Sequence, residues 1–143
     1  MTIACSAAGV DFTRRLVAAE QVERQLNTPG DLRAAATRLV EATERIGCRN
    51  VLGASDRANL VLAGAAMLDP QVNMVDEKVL REGAVDKVVV VEAVAVTGMF
   101  IRDCVKAARE AGAIWVAVAL LKDMTGPIDV DRFGQVDDLI LFD

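Results

Sequence analysis

Four consecutive valines at positions 88–91 constrain this chain more than any other feature. Branching at Cβ stiffens each side chain and favours extended backbone. Successive side chains on a strand point to opposite faces, so a run of four valines presents apolar surface on both. Such a strand belongs inside a sheet covered on both faces, the usual setting of a parallel sheet. The run continues through Glu92-Ala93-Val94-Ala95-Val96 into Thr97-Gly98, and the pattern predicts a helix over 99–111, ended by Gly112. A helix begins with backbone N–H groups that have no internal partner. Strand, glycine turn and helix start therefore form a cradle for an anion, because free N–H groups and the helix dipole both favour negative charge there.

The rest of the chain supplies the other parts of a layered α/β fold. Phe12, Leu16, Ala19, Val22 (or Glu23) and Leu26 recur at helical spacing, and Asn27-Thr28-Pro29-Gly30 stops that helix. Asp31 is expected to cap a second helix with Leu32, Ala35, Leu39, Ala42 and Ile46 on one face, ended by Gly47. A short strand over 50–54, a polar turn at Ser55-Asp56-Arg57 and a small-residue helix over 58–68 follow. A weak strand over 72–75, a short helix or loop over 77–82, a strand over 114–121 and a last strand over 139–142 complete the reading. Strands alternating with helices at this pitch predict crossover connections and a mostly parallel central sheet of about five strands in three layers. Residues 1–143 read as one domain, with 1–30 as an N-terminal helical extension. Ligands of such sheets bind beyond the carboxyl ends of the strands, where the loops after Ala54, Val91 and Leu121 converge.

Composition narrows the chemistry. There is no histidine and no tyrosine, so Ser-His-Asp and Cys-His nucleophilic catalysis, His-ligated zinc and phosphohistidine relay are excluded. Any general acid or base must be a carboxylate, a lysine or a thiol. Cys5, Cys48 and Cys104 are too few and too widely spaced for a zinc site or a disulfide framework, and read as reduced thiols. The net charge of −5, without a basic run, argues against nucleic acid as a partner. The apolar run that contains 114–121 begins at Ala113 and has nine residues, far short of a membrane span. The N-terminus lacks the pattern of a signal peptide, so a cytoplasmic location is expected.

The stretch from the valines to Gly112 resembles the phosphate-and-ribose loop of type I phosphoribosyltransferases: a hydrophobic strand, two acidic residues, a few small residues, then Thr-Gly. The likeness extends over about 31–121. The turn at Ser55, Asp56 and Arg57 matches the place where that family holds pyrophosphate, and Lys122, ending the 114–121 strand, falls where members often contact the base. The resemblance implies backbone amides of Val96, Thr97, Gly98 and Met99 on a 5′-phosphate and Glu92 on the ribose. It further implies Mg²⁺ when a phosphoribosyl ligand is bound, held mainly by ligand oxygens rather than by a metal site of the protein. Two features depart from the family pattern. Ala93 stands where the second ribose-binding acid is expected, and Phe100 where a hydroxyl residue is usual. The long flap that shields the reaction in the family has only residues 68–87 to draw on.

The expected fold is thus phosphoribosyltransferase-like. The expected function is binding of a phosphorylated ribose or nucleotide, with catalysis weakened or lost. One alternative is an active phosphoribosyltransferase passing phosphoribose from its pyrophosphate donor to a nitrogenous base, with Glu92 as the catalytic carboxylate. Another is a protein-interaction or regulatory subunit, in which the N-terminal helix and the small-residue helix mediate a homodimer or bind a partner protein. A flavodoxin-like or receiver-like domain shares the architecture, but a receiver needs an aspartate at a central strand end and Glu92 is the only acid there. Each site residue also has a plain structural reading. Thr97-Gly98 can serve only as a cap, Glu92 as a solvated charge, and Ser55, Asp56 and Arg57 as an ordinary helix start. Lys122 can be a polar strand end and Phe100 core packing.

Overall fold

The computed structural model describes residues 2–125 and 133–143, with side chains from Asp11 onward, so Cys5's side chain lies outside the described residues. The chain runs α1 (Thr2–Gln25), α2 (Pro29–Ile46), β1 (Asn50–Gly53), α3 (Asp56–Leu68), β2 (Asn73–Met74), α4 (Glu77–Arg81), β3 (Lys87–Ala95), α5 (Met99–Glu110), β4 (Trp115–Asp123) and β5 (Asp138–Leu141). All strands pair in parallel, in the order β2-β1-β3-β4-β5. The valine run sits at the centre: Val89, Val90 and Val91 pair with β1 on one edge, and Val88 to Val91 pair with β4 on the other. All four valines are fully buried.

Strand alternation divides the core in two. Val89 and Val91 pack with Leu39 of α2, Val61, Leu62 and Ala65 of α3, and Ala19 and Leu26 of the α1 side. Val88 and Val90 pack with Leu80 of α4 and with Ile101, Val105 and Ala108 of α5. The result is the expected three-layer α/β fold. Alanine and glycine let helices approach closely. A Cβ built on Gly64 of α3 would lie 3.0 Å from Cβ of Ala36 in α2.

Several local expectations are revised. Thr28, not Asp31, caps α2: its side chain accepts from the Asp31 N–H, and Pro29 takes the first helical position, where its missing N–H costs nothing. Asp31 becomes a first-turn acid that accepts from the Thr28 hydroxyl at 2.8 Å. Ser55 is the N-cap of α3, and Asp56 and Arg57 are helical. β3 runs four residues beyond Val91, to Ala95, so Glu92 lies inside the strand and not at its end. Other expectations hold: residues 68–87 build the short edge strand β2 and the short helix α4 rather than a long flap. No helix among the described residues is long and apolar enough to cross a membrane.

Candidate functional site

The strand order places the site. The chain leaves β1 through α3 toward β2 on one side, and leaves β3 through α5 toward β4 on the other, so α3 and α5 cover opposite faces. Between the carboxyl ends of β1 and β3 the two connections part, and an open crevice is left at that switch of direction. A hollow of about 240 Å³ opens there, lined by Ser55, Glu92, residues 94–101 and, from α1, Leu16 and Glu23. An adjoining hollow, lined by Ala54, Ser55, Asp56 and Arg57, shares Glu23, Ser55 and Phe100 with it.

Glu92 is 5% exposed. The Ser55 hydroxyl donates to its Oε1 at 2.6 Å, and the Ala93 N–H donates to the same oxygen at 2.9 Å. Ser55 thus does two things, since its Oγ also accepts the Ala58 N–H that starts α3. Burial raises the Glu92 pKa above the ordinary carboxylate value, the two hydrogen bonds oppose the rise, and the nearby Glu23 carboxylate adds to it. The reading of Glu92 as a solvated strand-end charge is therefore corrected. The strand continues past it, and the carboxylate is buried beneath the crevice.

Ala93 takes the other face, as alternation requires. It is fully buried in the cluster that contains Leu62, Ala65, Val91 and Leu121. Ala93 is 0% exposed and does not line the hollow, so position 93 is a core position in this chain.

Residues 96–99 form the turn into α5. Gly98 is its N-cap with φ +77°, a conformation that disfavours side chains, and it contributes no side-chain cap. The Met99 N–H turns back to Thr97 Oγ1 at 3.2 Å. Val96, Thr97, Gly98 and Met99 all line the hollow beside Glu92, so the residues named for the cradle and the acid share one hollow. Phe100 is exposed at the rim, not packed in the core.

The helix α1 is the part that sequence reasoning did not place. Arg15 donates to the backbone oxygen of Thr125 at 2.7 Å and of Met124 at 3.4 Å, tying α1 to the end of β4. Thr125 is itself held by Asp123, whose Oδ1 accepts its N–H and its hydroxyl. Leu16 and Glu23 consequently wall the hollow, and α1 supplies cover that residues 68–87 do not. The available signal was the inward stripe Leu16, Ala19, Glu23, Leu26, in which one charged residue interrupts apolar ones.

The remaining predicted residues are dispersed. Asp56 is exposed, and Arg57 donates to the Asn27 side chain at the turn between α1 and α2 while lining the adjoining hollow. Lys122 pairs in register with Val94 but lines a separate hollow with Leu26, Asp31, Arg38 and Asp143. The structure does not bring it to the hollow that holds Glu92. A metal test follows from the donor set. Among the described residues no group of three His, Cys, Asp or Glu side chains is arranged to hold an ion. Glu92 and Glu23 fit Mg²⁺ only as minor ligands of an ion whose other positions are filled by ligand oxygens and water.

The chain has a phosphoribosyltransferase-like fold. It superimposes on the glutamine phosphoribosylpyrophosphate amidotransferase from B. subtilis, solved in complex with ADP and GMP, with a TM-score of 0.50 at 17% identity. The match covers 78% of this chain and 35% of that enzyme, so this chain spans about a third of its length. No family model and no curated protein sequence matches the chain.

Proposed function

We propose that this protein binds a phosphorylated ribose or nucleotide in the crevice between β1 and β3, with phosphoribosyl transfer weakened or absent. The observation that carries this reading is one hollow holding a helix-start amide cradle at 96–99 and a buried, hydroxyl-bonded carboxylate, Glu92. Chemically the two ends are complementary to a sugar phosphate. The amides and the dipole of α5 suit the phosphate. Glu92, an acceptor when ionised, suits sugar hydroxyls. Its bond from Ser55 fixes the carboxylate in one orientation before the ligand arrives. Asp56 and Arg57 line the neighbouring hollow, on the side where a pyrophosphate would extend. Magnesium, if carried in by such a ligand, would neutralise phosphate charge beside two carboxylates.

Ala93 supports the weakened reading, because the core claims its position and no second acid comes from β3. Cover by α1 favours a second reading, an active phosphoribosyltransferase, because a shielded site is what an oxocarbenium-like transition state needs. Apolar residues exposed on α3, Leu60, Met67 and Leu68, support association with a second copy or a partner protein as part of the same reading. The deciding experiment is calorimetric titration with ribose 5-phosphate and phosphoribosyl pyrophosphate, with and without Mg²⁺, alongside pyrophosphate release with purines, pyrimidines and orotate. Binding with little release is expected. Absence of binding overturns the proposal, and robust release moves the chain to the active reading.

A further inference from the structure

The solvent face of α3 differs from that of the other long helices. From Ala58 to Leu68 it holds no charged residue, in a chain of which 26% is charged, and apart from Asn59 its residues there are apolar or glycine. By contrast α1 turns Glu20 and Arg24 to solvent, α2 Glu41 and Arg45, and α5 Asp103 and Lys106. A helix that is apolar on every face is ordinarily a buried helix. α3 buries Val61, Leu62 and Ala65 in the core, yet Leu60 stays exposed and Met67 is 86% exposed. Met74 of the edge strand β2 adds to the same surface. It is exposed and pairs in register with Val51, a core residue of the α3 side of the sheet.

We propose that this face is the interface of a homodimer, in which two copies pack α3 antiparallel across a two-fold axis between positions 63 and 64. The order of residues fits a copy of itself. Leu60, Ala63, Gly64 and Met67 are spaced i, i+3, i+4, i+7 on one face, large at both ends and small in the middle. Antiparallel pairing about that axis sets Leu60 against Met67 of the partner subunit and lets the two backbones approach at Ala63 and Gly64. A two-fold interface brings the same patch together twice, so it must be self-complementary. With a net charge of −5, a face carrying the chain's surplus of acid would repel its own copy, and a charge-free face does not. Charge also selects the direction. Asp56, one turn before Leu60, is exposed at the end of the face. Antiparallel pairing keeps the two Asp56 positions about 22 Å apart along the axis, at 1.5 Å per residue, well beyond a Debye length of about 8 Å. Parallel pairing would set them side by side.

The test is sedimentation velocity over a range of micromolar concentrations. It contains no ligand, so its failure leaves the sugar-phosphate reading of the crevice standing. The unmodified chain is expected to be a dimer that dissociates on dilution. Leu60→Lys and Met67→Glu each place a charge in the apolar face and should weaken association about ten- to a hundredfold. Ala63→Glu, at an exposed position beside the axis, should do the same without removing any large apolar side chain. All three positions are exposed in a single copy, so far-ultraviolet circular dichroism should be unchanged. Combining Leu60→Lys with Met67→Glu in one chain sets opposite charges across the axis and should recover association relative to either single variant. A monomeric unmodified chain, or association insensitive to all three single substitutions, overturns the proposal. A double variant that associates no better than the singles overturns the antiparallel register.

Discussion

Replacing Ala93 with aspartate restores, in sequence, the acid pair that the phosphoribosyltransferase pattern calls for, and the structure predicts that it damages the fold instead. Ala93 is fully buried on the core face of β3, in the cluster with Leu62, Ala65, Val91 and Leu121. The side chains of that cluster are apolar, so an aspartate placed among them must be neutral or carry a buried charge at a cost. Holding it neutral at pH 7 costs about 1.4 kcal/mol for each pKa unit above its ordinary value of about 3.9, or about 4 kcal/mol. Extra atoms in a packed core add about 1–3 kcal/mol. The total is about 5–7 kcal/mol, against a typical domain stability of about 5–15 kcal/mol. Urea unfolding of variant and parent at pH 7 and at pH 4 separates the two contributions. Near pH 4 the ionisation share largely vanishes, and the difference between variant and parent should fall to about 1–3 kcal/mol. A loss below about 1 kcal/mol at pH 7, or one equal at both pH values, would refute the placement of position 93 in the core.

Three further outcomes follow from particular residues. Because burial raises the Glu92 pKa, the folded state holds that proton more tightly than the unfolded chain. Its ionisation therefore subtracts stability as pH rises from the ordinary carboxylate value through the folded one. Glu92→Gln, which can still accept from Ser55, should raise the thermal midpoint at pH 7 and flatten that part of the profile. An unchanged pH profile would contradict the burial of this carboxylate. Gly64→Leu, wedged against Ala36 at the contact of α2 and α3, should cost about 1–3 kcal/mol in urea unfolding. The Cys104 pKa is pushed from 9.0 up to about 11, first by burial and then by the charges of Glu92, Asp103 and Glu77. In a variant with Cys5 and Cys48 replaced by serine, its alkylation by iodoacetamide at pH 8 should run about a hundredfold slower than that of an unperturbed thiol.

The sheet was legible because its signal is strong and local. Four valines in a row have one stable environment, and the parallel, three-layer order around β3 follows from strands alternating with helices. Strand length was less legible, since Ala93, Val94 and Ala95 are compatible with either a loop or a continuing strand. Pairing with Leu120, Lys122 and Asp123 across β4 decides for the strand. That extension moves Glu92 from a loop to a buried position and turns Ala93 from a missing ligand into a core residue. The turn at 96–98 and the start of α5 were readable from Thr97-Gly98 followed by a helix. The role of α1 was not, because its packing on the crevice depends on a contact across more than a hundred residues, from Arg15 to Thr125. The glutamate in its apolar stripe was visible, but periodicity alone does not say which surface the stripe meets.

The central claim, that the crevice at the start of α5 receives the phosphate of a sugar phosphate, is tested most directly by amide chemical-shift mapping. The chain is titrated with ribose 5-phosphate at millimolar concentration, in parallel with Gly98→Val, whose side chain is strained at φ +77°. The account predicts saturable shifts centred on the amides of residues 96–99, extending to Ser55 and Glu92, and their loss in the variant. Shifts absent from residues 96–99, or unchanged in Gly98→Val, would contradict it.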